Sequence, residues 1–386
     1  MNFSNTVILS LGSNEGSRLQ NIELCVSHIH NEIGTVIKVS GLYETPSWGF
    51  ESADFYNCAV LIHTGKTVNE VLAAIVKAEE ALGRVRHVAE GYQSRLIDVD
   101  IISFNEDIVE IDGLQVPHPR MQERNFVLYP LRDIAPQWTH PISGKNIEAL
   151  IAETDDTAAC KFVSALSSPF DQLRLSGLQY IAIEGNIGAG KTTLAGRISQ
   201  DFNAKLILER FADNPFLPKF YKDQARYAFS LEMSFLADRY QQLSDDLAQF
   251  DLFTDFVVAD YHIVKSLIFS KVTLSDDEYQ LYRKLFDIMY KEMRKPGLYV
   301  YLYQDTDTLL QHIKMRGRPY EQDIKAEYLA SINKGYLDYI KSQPELNVLV
   351  IDMTNRDFVH NQQDYIGLLE EINEKAQQFK NMQPIK

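Results

Sequence analysis

Residues 180–199, YIAIEGNIGAGKTTLAGRIS, constrain the fold more than any other stretch, and they lie in mid-chain. Tyr180–Glu184 has the character of a buried strand, a glycine-rich turn follows, and a helix is expected from Lys191. Gly185, Gly190, Lys191 and Thr192 stand at the G-x-x-x-x-G-K-T spacing. That spacing shapes a loop of Gly185, Asn186, Ile187, Gly188, Ala189 and Gly190 whose backbone N–H groups wrap a triphosphate. Lys191 then reaches the β- and γ-phosphates and Thr192 meets Mg²⁺, with Thr193 beside it. The helix N-terminus adds about half a positive charge at the same place. The competing reading is a plain glycine turn, and the strand before and helix after weigh against it. A nucleotide loop this far along leaves residues 1–177 to be explained.

At 386 residues the chain exceeds what one core usually organises, so two domains are expected. Apolar residues make up 45% and aromatics 11%, enough for sizeable cores. The formal charge of −15 argues against a nucleic-acid surface and an anionic membrane, while small phosphorylated ligands remain compatible. Cys25, Cys58 and Cys160 lack metal-like spacing, which suggests a reducing cytosol. The N-terminal residues carry no basic stretch and too short an apolar run for export, and no stretch approaches a membrane span.

Before the loop, strands are expected at Val7–Leu11, Val36–Tyr43, Tyr56–His63 and Leu96–Phe104, with helices at Arg18–Glu32 and Val68–Leu82. Strand–helix–strand–strand–helix–strand suggests a ferredoxin-like α+β sheet. Ile147–Leu178 reads as a helical tail and then a linker. From Tyr180 strands alternate with long helices: Lys205–Leu208, Ala225–Phe250, Phe253–Ala259, Tyr279–Arg294, Leu298–Leu302, Leu329–Lys341 and Asn347–Ile351. That pattern is a P-loop α/β domain, a parallel sheet covered by helices. The expected limits are 1–155 for the first domain, 156–177 for the linker and 178–386 for the second.

In the first domain Asp98-Val99-Asp100 is the sharpest feature. Residues two apart on a strand project from one face, about 7 Å apart at Cα. Two carboxylates there repel by roughly 2 kcal/mol at an effective dielectric near 20. A divalent cation relieves that repulsion, and carboxylate oxygens are the hard ligands Mg²⁺ prefers. The alternative is a solvated strand face, although Asp is a poor strand residue. Arg84, Arg86 and Arg95 precede the pair and suit polyphosphate oxygens, or are solvated surface arginines. His118, in Val116-Pro117-His118-Pro119, is an acid, a phosphate contact or a turn residue.

Residues 5–150 resemble 6-hydroxymethyl-7,8-dihydropterin pyrophosphokinase of folate synthesis. The resemblance runs through Gly12-Ser13-Asn14, Tyr43-Glu44-Thr45-Pro46, Asp54-Phe55-Tyr56-Asn57, Gly83-Arg84-Val85-Arg86, Arg95-Leu96-Ile97-Asp98-Val99-Asp100, Val116-Pro117-His118 and Arg124-Asn125-Phe126. It implies that Asp98 and Asp100 hold two Mg²⁺ ions across the phosphates of ATP. Thr45, Pro46, Asn57 and Phe126 would hold the pterin, with Phe55 stacking on it. Glu79, Arg84, Arg95, His118 and Arg124 would contact ATP. The implied reaction moves the β,γ-pyrophosphoryl group onto the pterin hydroxymethyl oxygen and releases AMP. It needs positioning and charge neutralisation more than covalent catalysis. The arginine loop His87–Ser94 departs from the pattern: it lacks the second arginine and the tryptophan, with only Tyr92 as aromatic. Ser47 also stands where a second proline is expected.

In the second domain, Glu209 follows a predicted parallel strand and so points to the ligand crevice, where a base for a hydroxyl nucleophile belongs; a solvated loop acid is the alternative. Asp260 ends the apolar run Phe256–Ala259 like a Walker-B aspartate that orients Mg²⁺. Arg316 and Arg318 end a helix and suit a lid over the γ-phosphate, or are exposed helix-end arginines.

Residues 178–386 resemble the deoxynucleoside kinases, in their bacterial purine-preferring branch. The shared features are the loop, Glu209 with Asp213-Asn214-Pro215, Phe220-Tyr221, Glu232 through Arg239-Tyr240, Ala259-Asp260-Tyr261-His262 and Met315-Arg316-Gly317-Arg318-Pro319-Tyr320-Glu321. By that resemblance Glu209 takes the 5′-hydroxyl proton, Tyr221 and Glu321 hold the 3′-hydroxyl, Arg316 and Arg318 form the lid, and Phe358 flanks the donor base. Thr192 and Asp260 would attend one Mg²⁺, and the domain would form a homodimer. Where much of the family has an arginine after the acid, this chain has Asp260-Tyr261-His262, and Arg239 is a candidate to take over that role. Glu232 stands where many members read the base with glutamine. An ionised glutamate offers two acceptors, matching the N1–H and N2–H of guanine better than adenine.

The expectation is a bifunctional enzyme with two ATP-dependent sites, acting on hydroxymethyldihydropterin and on a purine deoxynucleoside. The alternatives are an inactive first domain serving as scaffold or dimerisation module, and a nucleotide switch. The absence of an N-K-x-D signature counts against the switch.

Overall fold

The computed structural model describes residues 4–48, 52–84, 94–111, 113–173, 175–210, 214–249 and 254–382. The chain forms two compact units, Met1–Leu173 with Phe358–Gly367, and Arg174–Asp357 with Leu368–Lys386.

The first unit runs β1 (Asn5–Ser13), α1 (Arg18–His28), β2 (Thr35–Val39), β3 (Leu42–Thr45), β4 (Phe55–Thr64), α2 (Val68–Ala81), β5 (Asp98–Phe104), β6 (Val109–Ile111), β7 (Leu114–Val116), α3 (Asn125–Ile134), α4 (Ile147–Glu153) and β8 (Lys161–Ser164). Its main sheet has the order β5-β1-β4-β3-β8, with β2 also on β4. All the pairings are antiparallel. Alternation along the strands separates two faces. Val7, Leu9, Leu11, Val60, Ile62, Val99 and Ile101 join α1 and α2 in one core. Ile8, Ala59 and Ile102 join α3 and α4 in another. Thr67 starts α2 with a capping box: its side chain accepts from Glu70 N, and Glu70 answers at Thr67 N.

Three expectations change, the first being that residues 358–367, expected in the second domain, group with the first unit. The single strand Val36–Tyr43 is two strands, parted at Ser40-Gly41. Gly41 N donates to Asp133 Oδ2 at 3.1 Å, and a Cβ on Gly41 would lie 2.6 Å from the Phe162 ring. The chain must bend there around two tertiary neighbours. The expected linker 156–177 is structured in part: Lys161–Ser164 pairs with β3, and Ser168 Oγ donates to Val36 O at 2.8 Å. Its short, exposed strand shows no alternation that sequence could reveal.

The second unit runs β9 (Tyr180–Gly185), α5 (Lys191–Asp201), β10 (Lys205–Ile207), α6 (Leu217–Lys222), α7 (Gln224–Ala248), β11 (Val257–Ala259), α8 (Val264–Thr273), α9 (Asp276–Glu292), β12 (Leu298–Tyr303), α10 (Thr306–Arg316), α11 (Ala326–Ser342) and β13 (Val348–Asp352). Helix α12 (Gln362–Met382) starts among residues of the first unit and ends in the second. The sheet is parallel, in the order β10-β11-β9-β12-β13, and the β9 residues are fully buried. Helix α8 escapes sequence reading because Val264, Lys265, Ser266, Ile268, Phe269 and Ser270 are all buried, which erases amphipathic periodicity. No described helix is long and apolar enough to cross a membrane.

Candidate active sites

In the first unit, the sheet face that α3 and α4 cover stays open at one end. Register places Gly12 between Asn57 and Asp98, and Ser10 between Ala59 and Asp100. A cleft with about 590 Å³ of open space is lined there by Ser10, Gly12, Thr45, Pro46, Trp48, Phe55, Asn57, Arg95, Asp98, Asp100, Arg124 and Phe126. Strand alternation therefore delivers both aspartates to the same cleft as the aromatic residues. Asn57 Nδ2 donates to Thr45 Oγ1 at 2.8 Å, which fixes the buried amide. Trp48 meets Phe126 edge-on at 6.4 Å, and the Arg124 guanidinium lies 5.5 Å from the Phe126 ring.

Asp98 is bracketed by cations: Arg84 lies 2.7 Å from its Oδ1, and Arg95 pairs with its Oδ2. Asn14 positions Arg95 by accepting from its backbone N at 2.6 Å. Burial and the Asp98 carboxylate both push the Asp100 carboxyl up. Two hard carboxylates, one of them reluctant to ionise without more positive charge, fit Mg²⁺, which takes one or two carboxylates plus substrate phosphates. Glu79 is only 2% exposed and lies away from the cleft lining. It pairs with Arg84 and accepts from Val99 N at 3.0 Å, so it braces the strand between the aspartates. His118 follows the cis Val116–Pro117 bond and also lies outside the lining. Its Nδ1 accepts from Arg120 N at 3.2 Å, which leaves Nε2–H as a donor. Burial, then Arg124 and Arg120, lower it to about 4, so it is neutral at pH 7. Arg86 and residues 87–93 of the arginine loop, Tyr92 included, lie outside the described residues.

In the second unit, Gly188 and Gly190 hold φ of 85° and 83°, which favour glycine. A Cβ on Gly185 would lie 2.8 Å from Leu302 O. Asn186 ties the loop down, donating from Nδ2 to Leu329 O and Asn333 Oδ1, both at 2.8 Å. Lys191 Nζ donates to Asn186 O at 2.7 Å. Burial and the nearby Lys265 lower the Lys191 ammonium.

The adjoining cleft holds about 780 Å³ of open space. Ile187, Gly188, Lys191, Thr192, Tyr221, Glu232, Arg239, Glu209, Asp260, Lys265, Arg316, Arg318, Glu321 and Tyr328 are among its lining residues. Gly185, Asn186, Ala189, Gly190 and Thr193 shape the loop from outside that lining. Thr192 Oγ1 donates to Asp260 Oδ2 at 2.5 Å, and Glu209 N donates to Asp260 Oδ1 at 2.8 Å. A hydroxyl and a carboxylate this close, beside a phosphate-type loop, form a donor set suited to one Mg²⁺.

Glu209 accepts on Oε1 from Arg239 Nε and Nη2, at 2.9 and 2.6 Å, and on Oε2 from Lys265 Nζ at 2.6 Å. Burial by itself would raise this carboxyl. Lys265 and then Arg239 overcome that and hold it well below the usual carboxylate range. Arg239, the candidate for the missing arginine near the reacting phosphate, is engaged on this acid, and Lys265 is the residue the sequence reading missed. The signal was present only as a lysine five residues beyond Asp260, in a helix without periodicity. Arg316 and Arg318 both pair with Glu321, Arg318 at 3.2 Å. Tyr221 stacks on Tyr320 at 6.3 Å. Glu232 is 2% exposed, and burial raises its carboxyl to about 7.

Phe358, expected beside the donor base, is buried, groups with the first unit and does not line this cleft. Asp213 lies outside the described residues, while Asn214 is buried with Nδ2 donating to Ser234 Oγ at 3.2 Å.

The deoxynucleoside kinase family model matches residues 181–377. The 7,8-dihydro-6-hydroxymethylpterin-pyrophosphokinase model matches residues 8–136. Deoxyguanosine kinase of Bacillus subtilis (strain 168) is 41% identical over 199 residues, spanning 50% of this chain and 96% of that protein. The 2-amino-4-hydroxy-6-hydroxymethyldihydropteridine pyrophosphokinase of the same organism is 42% identical over 154 residues, 39% of this chain and 87% of that protein. A solved structure of deoxyadenosine kinase from M. mycoides is 26% identical, with a TM-score of 0.44, covering 50% of this chain and 98% of that one. This chain belongs to the 7,8-dihydro-6-hydroxymethylpterin-pyrophosphokinase family through its first unit and to the deoxynucleoside kinase family through its second.

Proposed function

We propose that the chain is an active bifunctional enzyme. Its first site transfers pyrophosphate from ATP to 6-hydroxymethyl-7,8-dihydropterin, and its second transfers the γ-phosphate of ATP to the 5′-hydroxyl of a purine deoxynucleoside. The observation that carries this reading is that each unit has its own cleft with its own cluster of charged and polar groups. One has Asp98, Asp100, Arg84 and Arg95; the other has Lys191, Thr192, Asp260 and Glu209.

In the first site, Phe55, Trp48 and Phe126 offer ring surfaces to a flat bicyclic ligand, and the Asn57–Thr45 pair offers polar edges. Asp98 and Asp100 would hold two Mg²⁺ ions, which neutralise phosphate charge. Arg84 and Arg95 would turn from Asp98 to phosphate oxygens. In the second site, Glu209 would orient the 5′-hydroxyl and accept its proton. A loose phosphoryl-transfer transition state asks for positioning more than for basicity, so a carboxylate held by two cations suits the role. Lys265 would supply the positive charge that family members carry as arginine. Tyr221 and Glu321 would hold the 3′-hydroxyl, and the release of Arg316 and Arg318 from Glu321 would free both for phosphate. Glu232 would favour guanine slightly over adenine.

We further read the first unit's strand order as ferredoxin-like, the second unit as the dimerising part, and the compartment as cytosolic. All three cysteines are free, which supports the last point. Paired variants test the main reading. Asp98→Ala should abolish pterin-dependent AMP formation and leave deoxynucleoside-dependent ADP formation; Glu209→Ala or Lys191→Ala should do the reverse. Wild-type protein that makes no pterin-dependent AMP at saturating Mg²⁺ would leave the first unit as a scaffold. A monomeric mass by light scattering would remove the dimer.

A further inference from the structure

We propose that Asp156 is a positioning residue of the first site: it holds the start of α3, and with it Arg124 and Phe126, at the edge of the cleft. The inference rests on the pyrophosphokinase reading above. It adds a residue from the stretch expected as a linker, beyond residues 8–136 matched by the family model.

Arg124 and Phe126 flank Asn125, the first residue of α3, and both line the cleft. The first N–H groups of a helix have no partner within it. Arg124 stands at the N-cap and makes no side-chain cap bond. Asp156 supplies the acceptor from outside the helix. Its Oδ2 accepts from Asn125 N at 2.7 Å, and its backbone carbonyl accepts from Asn125 Nδ2 at 2.6 Å. Asn125 is thus gripped through backbone and side chain at once. A carboxylate at this place also meets the partial positive charge of the helix N-terminus. Asp156 is held in turn: Oδ1 accepts from Ala158 N at 2.9 Å, and its own N donates to Thr154 Oγ1 at 3.2 Å. Both carboxylate oxygens are engaged on backbone N–H groups, and Asp156 does not line the cleft, so it acts through its neighbours.

The two residues it holds have distinct places in the site. The Phe126 ring meets Trp48 edge-on, and the Arg124 charge opposes the rise that burial and Asp98 impose on the Asp100 carboxyl. The same segment continues as β8, which pairs with β3, the strand that ends at Thr45. Residues 156–164 therefore brace the cleft at two points. A misplacement of about 1 Å caused away from the chemistry is enough to cost up to about 100-fold in rate.

Asp156→Ala leaves Asn125 N without its acceptor. Hydrogen exchange across residues 124–128 should rise about tenfold, and the dissociation constant for 6-hydroxymethyl-7,8-dihydropterin, titrated by calorimetry with Mg²⁺ and a non-hydrolysable ATP analogue, should rise about tenfold, the worth of one charge-assisted hydrogen bond. Deoxynucleoside-dependent ADP formation should stay at the wild-type level. Asp156→Asn keeps one acceptor oxygen and should fall between wild type and alanine. Asn125→Ala is the milder variant, removing only the side-chain bond; added to Asp156→Ala it should cost less than the product of the two single effects, because both act on one lock. Wild-type pterin affinity in Asp156→Ala overturns the inference. So does a loss of binding sites per chain at an unchanged dissociation constant, which marks a purely structural role. If wild-type protein binds no pterin while exchange at 124–128 still rises in Asp156→Ala, the positioning role stands and the pyrophosphokinase reading fails; if exchange does not rise, the positioning role fails whatever the wild type binds.

Discussion

The two sites meet the same ligand problem, the charge of ATP's phosphates, with opposite electrostatics. In the first, carboxylates are crowded on one strand, and Asp100 is pushed up by burial and by Asp98. In the second, the central carboxylate is already neutralised, with Lys265 and Arg239 on Glu209. The strand face brings two acids together, and with Arg84 and Arg95 on Asp98 the burial and the neighbouring acid still hold the Asp100 carboxyl up, so the pair can take further positive charge from metal ions. A glycine loop provides backbone N–H groups and a lysine, so its acid can be reserved for the acceptor hydroxyl. The difference teaches that a buried carboxylate has to be read through its partners: Asp100 is crowded by another acid, whereas Glu209 is clamped by two cations.

The largest effect should come from the metal pair. Asp98→Asn is expected to lower pterin-dependent AMP formation by about 1000-fold or more, roughly 4 kcal/mol, while kinase turnover is unchanged. Retained activity would mean that the acid crowding has no catalytic purpose. Next, Glu209→Gln should reduce kcat for nucleoside phosphorylation by about 100- to 1000-fold with a smaller change in KM, the range for losing a proton-transfer group. Steady-state ADP formation measures it, with pterin-dependent AMP as the internal control.

A smaller loss tests the clamp. Lys265→Met should lower kcat about 10- to 100-fold, and Lys265→Arg should restore most of it. The methionine variant should also melt earlier, because removing one partner of a buried ion pair costs about 3 kcal/mol. A kcat loss that arginine does not repair would place Lys265 with the packing residues. The mildest change concerns His118. Its value of about 4 lies below the ordinary 6.5, so the ring is neutral above about pH 5 and charges only as pH falls further. His118→Ala should lose about tenfold in AMP formation, and His118→Gln should keep most of it, since one N–H donor is what is needed. Between pH 6 and 8 the wild type should show no limb that His118→Gln removes.

Much of both sites was readable from local pattern. The glycine spacing of 185–192, the two-residue step from Asp98 to Asp100 and the acid after an apolar run at Asp260 each report a geometry that neighbouring residues enforce. Less could be read where the geometry comes from elsewhere in the chain. Trp48 looks like an ordinary surface tryptophan until Phe126 arrives beside it. The family resemblance implies that Glu79 contacts ATP, and only the fold shows it accepting from Val99 N, between the two aspartates. Strand Lys161–Ser164 exists because β3 has a free edge to pair with, and the break at Gly41 because Phe162 and Asp133 crowd it.

The sequence by itself determined that there are two units, what class of sheet the second has, and which glycine loop and strand-borne acids line the two clefts. These follow from periods and spacings of a few residues, which the backbone imposes without help. Only the tertiary structure decided which partners surround the buried acids. Lys265 and Glu209 are separated by 56 residues, and Thr273 and Glu232 by 41. Burial and Coulomb interaction act through space, and no spacing in the sequence encodes which distant side chain closes to 3 Å.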